Sequence, residues 1–304
     1  MHDQQGRKRF LMERGFEPRT TVWRPDIAAP EFDGMLPSTK YHEPVRLQTC
    51  VPWVSLRFEP YSDSPVEDQL LFGETFLAYD FDYVSGLAWG QIEHDHHVGF
   101  VSFSGFSREV REPTHWVSVP KCPVLPRPDR KAEPRFVIAL NARVTVLEID
   151  HEDPIYAKIG DGMWVFRGDL REIGDWLADP LAPLEELVGV SSYIWGWRNG
   201  IGYDCSGLTQ AVHRATGRFC YRDADQQEYD PGFGTELPFT GAYDGLQRFD
   251  QVYFPGHVAV MVNETDAMHA KGEDVRKLVI EPIREIDAWR VRDCAGGIRT
   301  VKRF

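Results

Sequence analysis

Three residues of the chain have types and spacing that could do chemistry: Cys205 in GYDCSGL (202–208), His257 at the head of HVAVMV, and His269 in DAMHA. A thiol becomes a nucleophile when it loses its proton, and a helix N-terminus or a neighbouring imidazole favours that loss. Leu208, Ala211, Val212 and Ala215 recur at helical spacing, so a helix is predicted to begin at the thiol, with Gly217 placed to end it. Gly202 and Gly207 would let backbone approach closely on either side. In such a constellation His257 takes the thiol proton and later returns it to a leaving amine. His269 holds the other ring nitrogen, and the Cys205 amide helps hold an oxyanion. The same residues also have a structural reading, as a packed thiol and two histidines on apolar strands, and spacing alone leaves both open. His213, eight residues into the helix, is expected at the surface.

The elements that position these groups decide between the readings. HVAVMV and DAMHA read as two strands joined by a short turn. With a three-residue loop at 263–265, Val262 pairs with Asp266 and Ala259 with His269, so His257 and His269 share a face. A four-residue loop would place them on opposite faces. Diagonal neighbours on one face lie roughly 7–8 Å apart at the backbone, within reach of long side chains.

Upstream, residues 46–108 carry short aromatic and β-branched runs (VRLQTCVPWVSLRF, QLLFGETFLAYDF, GLAWGQIE, HVGFVSFSGF) separated by turn signals, the pattern of a small β-barrel. Residues 113–172 repeat that order loosely and predict a second barrel. Residues 1–45 are proline-containing and weakly periodic, an extension that lies over another domain or is partly mobile. From 175 to 304 helical and strand patterns mix, as in an α+β domain. There GDWLADPLAPLEELVGV predicts a helix starting at Asp179 or Pro180. The expected fold class is therefore α+β, with two small N-terminal β-barrels before a C-terminal α+β domain.

Bulk properties narrow the partners. A formal charge of −13 over 304 residues argues against nucleic acid and anionic membrane surfaces. The N-terminus lacks the apolar centre of a secretory signal and no apolar run is long enough to span a membrane, so a cytoplasmic location is expected. Five scattered cysteines with no CxxC pair fit reduced thiols. His94 and His96 would share a strand face and imidazole binds zinc or copper, but no cysteine stands near them, and no metal is expected. Arg222 and Asp223 are expected in a solvated loop, and the WGWRNG run containing Trp197 is expected to wall a groove beside Cys205.

The ordered set YIWGWRNGIGYDCSGL, GHVAVMV and MHA resembles the NlpC family of papain-like cell-wall peptidases over roughly residues 185–290. The preceding units resemble the bacterial SH3-like barrels found with it. The resemblance implies Cys205 as nucleophile, His257 as base, His269 as the third polar residue and Tyr193 as an aid to the oxyanion. Asp204 and Ser206 match residues that help hold the free amine of a peptide stem. Glu67 is the candidate barrel acid for that amine, and His97 stands where a substrate-facing tyrosine is expected. The implied reaction needs no cofactor. It is hydrolysis of γ-D-glutamyl–diamino acid bonds in murein stem peptides with a free N-terminal L-Ala, because the first barrel closes one end of the groove. Such an enzyme trims murein fragments during wall recycling. The chain departs from the family pattern at Trp197 (usually Gly), at Phe249, Asp250 and Gln251 (usually Gly-Asp-Leu) and at Lys271 (often Asn). Those departures keep two other functions in view: a wall-fragment-binding protein without turnover, and an acyltransferase on the same scaffold.

Overall fold

The structure is a computed structural model that describes residues 4–293 and 296–304. Its described residues fall into two compact units, one of residues 4–117 and 121–173, the other of 118–120 and 174–304.

In the N-terminal unit, helix α1 (Gln4–Met12) precedes strands β1 (Val45–Thr49), β2 (Trp53–Arg57), β3 (Val66–Leu71), β4 (Thr75–Asp82), β5 (Leu87–Ile92), β6 (Val98–Ser102) and β7 (Phe106–Ser107). These strands form one sheet in the order β3-β2-β6-β5-β4-β1-β7. Alternation along β1, β2 and β4 turns Leu47, Val54, Leu56, Phe76 and Ala78 into a common core. The N-terminal extension is ordered over this barrel. Its Val22, Ile27 and Ala29 pack with Tyr79, Trp89, Val98 and Phe100. Its buried Arg24 pairs with Asp80 at 2.5 Å and lies 4.6 Å over the Trp89 ring.

The second β-rich stretch holds β8 (His115–Val117), β9 (Lys121–Val124), β10 (Phe136–Ala139), β11 (Arg143–Val144), β12 (Glu148–Ile149), β13 (Tyr156–Gly160), β14 (Met163–Phe166) and β15 (Leu170–Glu172). They form three small sheets where the sequence predicts one barrel: β10-β9, β11-β8-β15 and β12-β13-β14. Prolines 123, 126 and 128 remove ladder donors in this stretch and keep its strands short. The repeat shows in the closing segment of each copy, where a strand, a 3₁₀ turn (Phe103–Gly105 or Arg167–Asp169) and a short strand follow one another.

The C-terminal unit contains α2 (Ala182–Glu185), β16 (Ser192–Tyr193), β17 (Gly202–Tyr203), α3 (Cys205–Ala215), α4 (Ala224–Tyr229) and β18 (Thr235–Leu237). It continues with β19 (Gln251–Phe254), β20 (His257–Met261), β21 (Asp266–Lys271), β22 (Lys277–Pro282), α5 (Ile283–Arg292) and β23 (Thr300–Arg303). The strands make an eight-stranded sheet, β17-β16-β22-β21-β20-β19-β23-β18, with α3 packed on β20 and β21 and α5 on β22. The helix predicted after Asp179 is a single turn. Pro183 cannot donate, and the chain goes on in i→i+3 turns such as Leu187 N–H to Leu184 O (3.0 Å). Every residue of β19 and β20 is buried, which explains their unbroken apolar runs. Cys50, Cys122, Cys205 and Cys220 are free thiols, while Cys294 lies outside the described residues.

Candidate active site

Asp204 sets the start of α3. Its backbone is extended, and its Oδ1 accepts the Gly207 N–H at 2.7 Å, an N-cap worth about 1 kcal/mol. The Asp204 carbonyl takes the Leu208 N–H at 3.1 Å, so the amides of Cys205 and Ser206 have no partner within the helix. Gly207 is required by contact: a Cβ there would lie 2.6 Å from the Trp197 carbonyl oxygen and 3.0 Å from Asp204 Oδ1. Trp197 thus stands beside the helix start, its carbonyl also accepting the Asp204 N–H at 3.1 Å.

The Asp204 carboxylate is fully engaged. Besides Gly207 it accepts the Gly196 N–H at 2.7 Å and two Arg222 N–H groups, NH1 to Oδ1 at 3.0 Å and NH2 to Oδ2 at 2.6 Å. Arg222 NH1 also donates to Ser206 Oγ at 3.0 Å. Arg222 is 1% exposed, which overturns the solvated loop expected for it. It is an internal brace of the helix start. Ser206 Oγ also donates to Asp204 Oδ1 at 3.4 Å, so the brace ties together both residues matched to amine binding.

Strands β20 and β21 pair with Val260 opposite Met268 and Met261 opposite Ala267, and the Val262 N–H reaches Asp266 O at 2.9 Å. This is the register of a three-residue loop. It places His257 and His269 on one face, with His257 Nε2 and His269 Nδ1 2.9 Å apart. His269 Nε2 lies 3.0 Å from Glu281 Oε2. Glu281 sits opposite Ala267 in the β21–β22 ladder, on the same face as His269. Lys271 Nζ donates to both Glu281 oxygens, at 3.1 and 3.3 Å. The Trp289 ring of α5 covers this row, 6.0 Å from the His257 ring, 6.1 Å from that of His269 and 5.1 Å from Lys271 Nζ.

Glu281, Lys271 and Trp289 had no site role in the sequence reading. Parity in LVIEP could have placed Glu281 beside His269, but only once the second hairpin's register was known. His213 is corrected as well. It is buried between the rings of Phe233 and Phe304, at 4.5 and 4.3 Å, and is hydrogen-bonded to Gln251. The apolar stripe of α3 is not its only buried face, because every residue of the helix is covered.

The electrostatics differ from a preformed ion pair. Burial pushes the Cys205 thiol up to about 12 and the nearby Asp204 adds to the rise; the Val258 N–H, Arg222 and the Ser206 N–H pull the other way. Burial also holds His257 well below the usual histidine range, with His269 and Arg290 contributing. At neutral pH the resting groups are a thiol and a neutral imidazole. The helix start therefore does not by itself ionise Cys205, because desolvation outweighs it. The Val258 and Ser206 backbone N–H groups are aimed at the sulfur. Tyr193 lies close enough for burial, then Cys205 and Asp204, to raise its phenol. Its ring rests on Gly272, where a Cβ would come within 2.9 Å of it.

Cys205, His257, His269, Tyr193, Asp204, Ser206 and Trp197 are all residues of the C-terminal unit, whereas Glu67 and His97 belong to the N-terminal unit. Glu67 lies in β3. His97 ends the β5–β6 turn, its N–H bonded to Asp95 Oδ1 at 3.0 Å. Among the described residues, no group of three or more His, Cys, Asp or Glu could hold a metal ion.

Residues 56–105 match the bacterial dipeptidyl-peptidase Sh3 domain, and residues 189–295 match the NlpC/P60 family. A protein of Lysinibacillus sphaericus named dipeptidyl-peptidase 6 is 36% identical over 78 residues, which is 26% of this chain and 27% of that relative. A γ-D-glutamyl-L-lysine dipeptidyl-peptidase of Bacillus cereus is 23% identical over 234 residues, 67% of each chain. Among solved structures, an NlpC/P60 family protein of Bacillus cereus superposes with a TM-score of 0.68 at 17% identity, covering 85% of this chain and 99% of that one. An NlpC/P60 endopeptidase of Photobacterium damselae gives 0.56 at 13% identity, covering 84% and 70%. Residues 189–295 are an NlpC/P60 family domain, preceded in the sequence by a bacterial SH3-like domain at residues 56–105.

Proposed function

We propose that the chain is a cysteine peptidase that hydrolyses γ-D-glutamyl–diamino acid bonds in murein stem peptides bearing a free N-terminal L-Ala, in the recycling of wall fragments. The observation that carries the reading is the hydrogen-bonded row Glu281–His269–His257. It ends one residue before Val258, whose N–H is directed at the Cys205 sulfur. The name of the Bacillus cereus dipeptidyl-peptidase supports the bond type.

In this mechanism the Cys205 sulfur attacks the γ-carbonyl carbon of the D-glutamyl residue while its proton passes to His257. Nε2 of that ring is taken by His269, so Nδ1 is the nitrogen that receives it. Because both groups rest neutral, proton transfer accompanies attack rather than preceding it. The amides at the start of α3, with the Tyr193 hydroxyl, hold the oxyanion. His257 then gives the proton to the departing amine and leaves a thioester. Water attacks the thioester with His257 as base, which releases the D-glutamyl carboxylate and restores the thiol.

The test is incubation with L-Ala-γ-D-Glu-diaminopimelate and with its N-acetylated form. The expected result is cleavage of the free-amine peptide only, abolished in Cys205→Ala. Cleavage of neither peptide sinks the peptidase reading, and equal cleavage of both sinks the requirement for a free amine.

A further inference from the structure

We propose that Glu281, braced by Lys271, is a positioning residue that fixes the tautomers of both histidines and so decides whether His257 can act as a base. The inference rests on the peptidase reading for its consequence, but its geometry stands apart from the substrate. The polarity follows step by step from donors and acceptors. An ionised carboxylate only accepts, so the proton between Glu281 Oε2 and His269 Nε2 sits on the ring nitrogen. In the state where His269 carries a single proton, at Nε2, its Nδ1 is bare and accepts from His257 Nε2–H across 2.9 Å. His257, neutral and protonated at Nε2, is left with a bare Nδ1, the form a general base needs. Reversing the first bond reverses the others and puts a proton on His257 Nδ1, where it blocks uptake from the thiol.

Three observations hold the first bond in place. Glu281 is kept ionised: its hydrogen bond to His269, then that to Lys271, hold its carboxyl near 2. Lys271 bonds both carboxylate oxygens while its ammonium lies over Trp289, which fixes the rotation of the carboxylate about its stem. Trp289 packs against both imidazoles, at 6.0 and 6.1 Å between ring centroids, and closes that side of the row. The remaining charges around Glu281 line a hollow of about 470 Å³: Glu273, Asp274, Glu285, Arg292 and Asp293. Of these, Asp274 lies 3.5 Å from Lys271, and Glu273 is paired with Arg290 at 3.7 Å. This row gives Lys271 a function at a position that the sequence reading marked only as a departure.

The experiment joins kinetics to ¹⁵N NMR of histidine-labelled protein. In the unmodified protein at pH 7, both His257 and His269 are expected to show a protonated Nε2 and a bare Nδ1. A His257 protonated at Nδ1 overturns the proposal before any variant is made. Glu281→Gln keeps the shape and can donate to His269 Nε2. It is expected to lower kcat at least about 100-fold with KM within about threefold, and to flip the His269 tautomer. An unchanged tautomer pair, or a kcat within about threefold, overturns the assignment. A merely structural Glu281 would shift stability and leave the tautomers alone. If the unmodified protein cleaves no murein peptide, the peptidase reading falls, and the NMR tautomers still decide this one.

Discussion

Arg222→Met tests whether the buried brace under α3 is what holds the nucleophile. The substitution keeps an apolar stem and removes three charge-assisted hydrogen bonds, two to Asp204 and one to Ser206 Oγ. Both partners are almost wholly buried, with side-chain exposures of 1% and 7%. Breaking such a pair from one side leaves a buried carboxylate without its counter-charge, which costs about 3–5 kcal/mol. Asp204 retains the Gly207 and Gly196 N–H bonds, so the lower end, about 3 kcal/mol, is expected. The C-terminal unit can be followed alone by urea unfolding with pulse-labelling of Cys220, which is 2% exposed. A second readout comes from the thiol itself. Arg222 pulls the Cys205 sulfur toward ionisation, so its loss is expected to slow alkylation of Cys205 by iodoacetamide. Adding Asp204→Asn should recover part of the loss, with a coupling energy of about 2 kcal/mol or more. A cost below about 1 kcal/mol for Arg222→Met, or strict additivity in the double variant, would refute the argument.

Three further outcomes follow from the same geometry. Phe249 sits at φ +78°, where side chains are strained, so Phe249→Gly should be about 1 kcal/mol more stable than Phe249→Ala by urea unfolding. Burial, then Arg218, holds His213 down at about 3, so between pH 6.5 and about 3 the unfolded chain binds a proton that the folded chain does not. The stability His213 permits is complete above pH 6.5 and is lost toward pH 3, with a slope of up to about 1.4 kcal/mol per unit; His213→Phe should flatten the fall seen on denaturation between pH 7 and 5. A Cβ at position 272 would meet the Tyr193 ring at 2.9 Å, so Gly272→Ala should lower kcat about tenfold or more by displacing that ring, measured on the murein tripeptide against an unchanged melting temperature.

The helix at Cys205 and the hairpin carrying His257 and His269 were legible because they rest on local rules. Spacing at Leu208, Ala211, Val212 and Ala215 marks a helix, and loop length sets the parity of a hairpin. The failures have one cause. His213 looked like a surface residue because its neighbours on the helix wheel say nothing about Phe233 and Phe304, which arrive from about 20 and 90 positions away to cover it. Arg222 looked solvated because an arginine in a polar loop usually is, yet its partner Asp204 lies 18 residues back. Lys271 and Phe249 stood out only as departures from a pattern. One now has a carboxylate partner in Glu281, and the other a left-handed backbone, φ +78°.

The sequence by itself determined which groups are available and where the chain is helical or extended: a thiol at a helix start, and two imidazoles on adjacent strands whose shared face depended on a loop of three residues rather than four. Periodicity and turn length are short-range and are written in neighbouring residues. The protonation of that site was decided only in the folded structure. Desolvation of Cys205 reverses the effect expected of a helix N-terminus, and the direction of the proton along His257 and His269 depends on Glu281, Lys271 and Trp289. Burial and long-range pairing act through space, so a charge's environment exists only once strands and helices distant in the chain have packed around it.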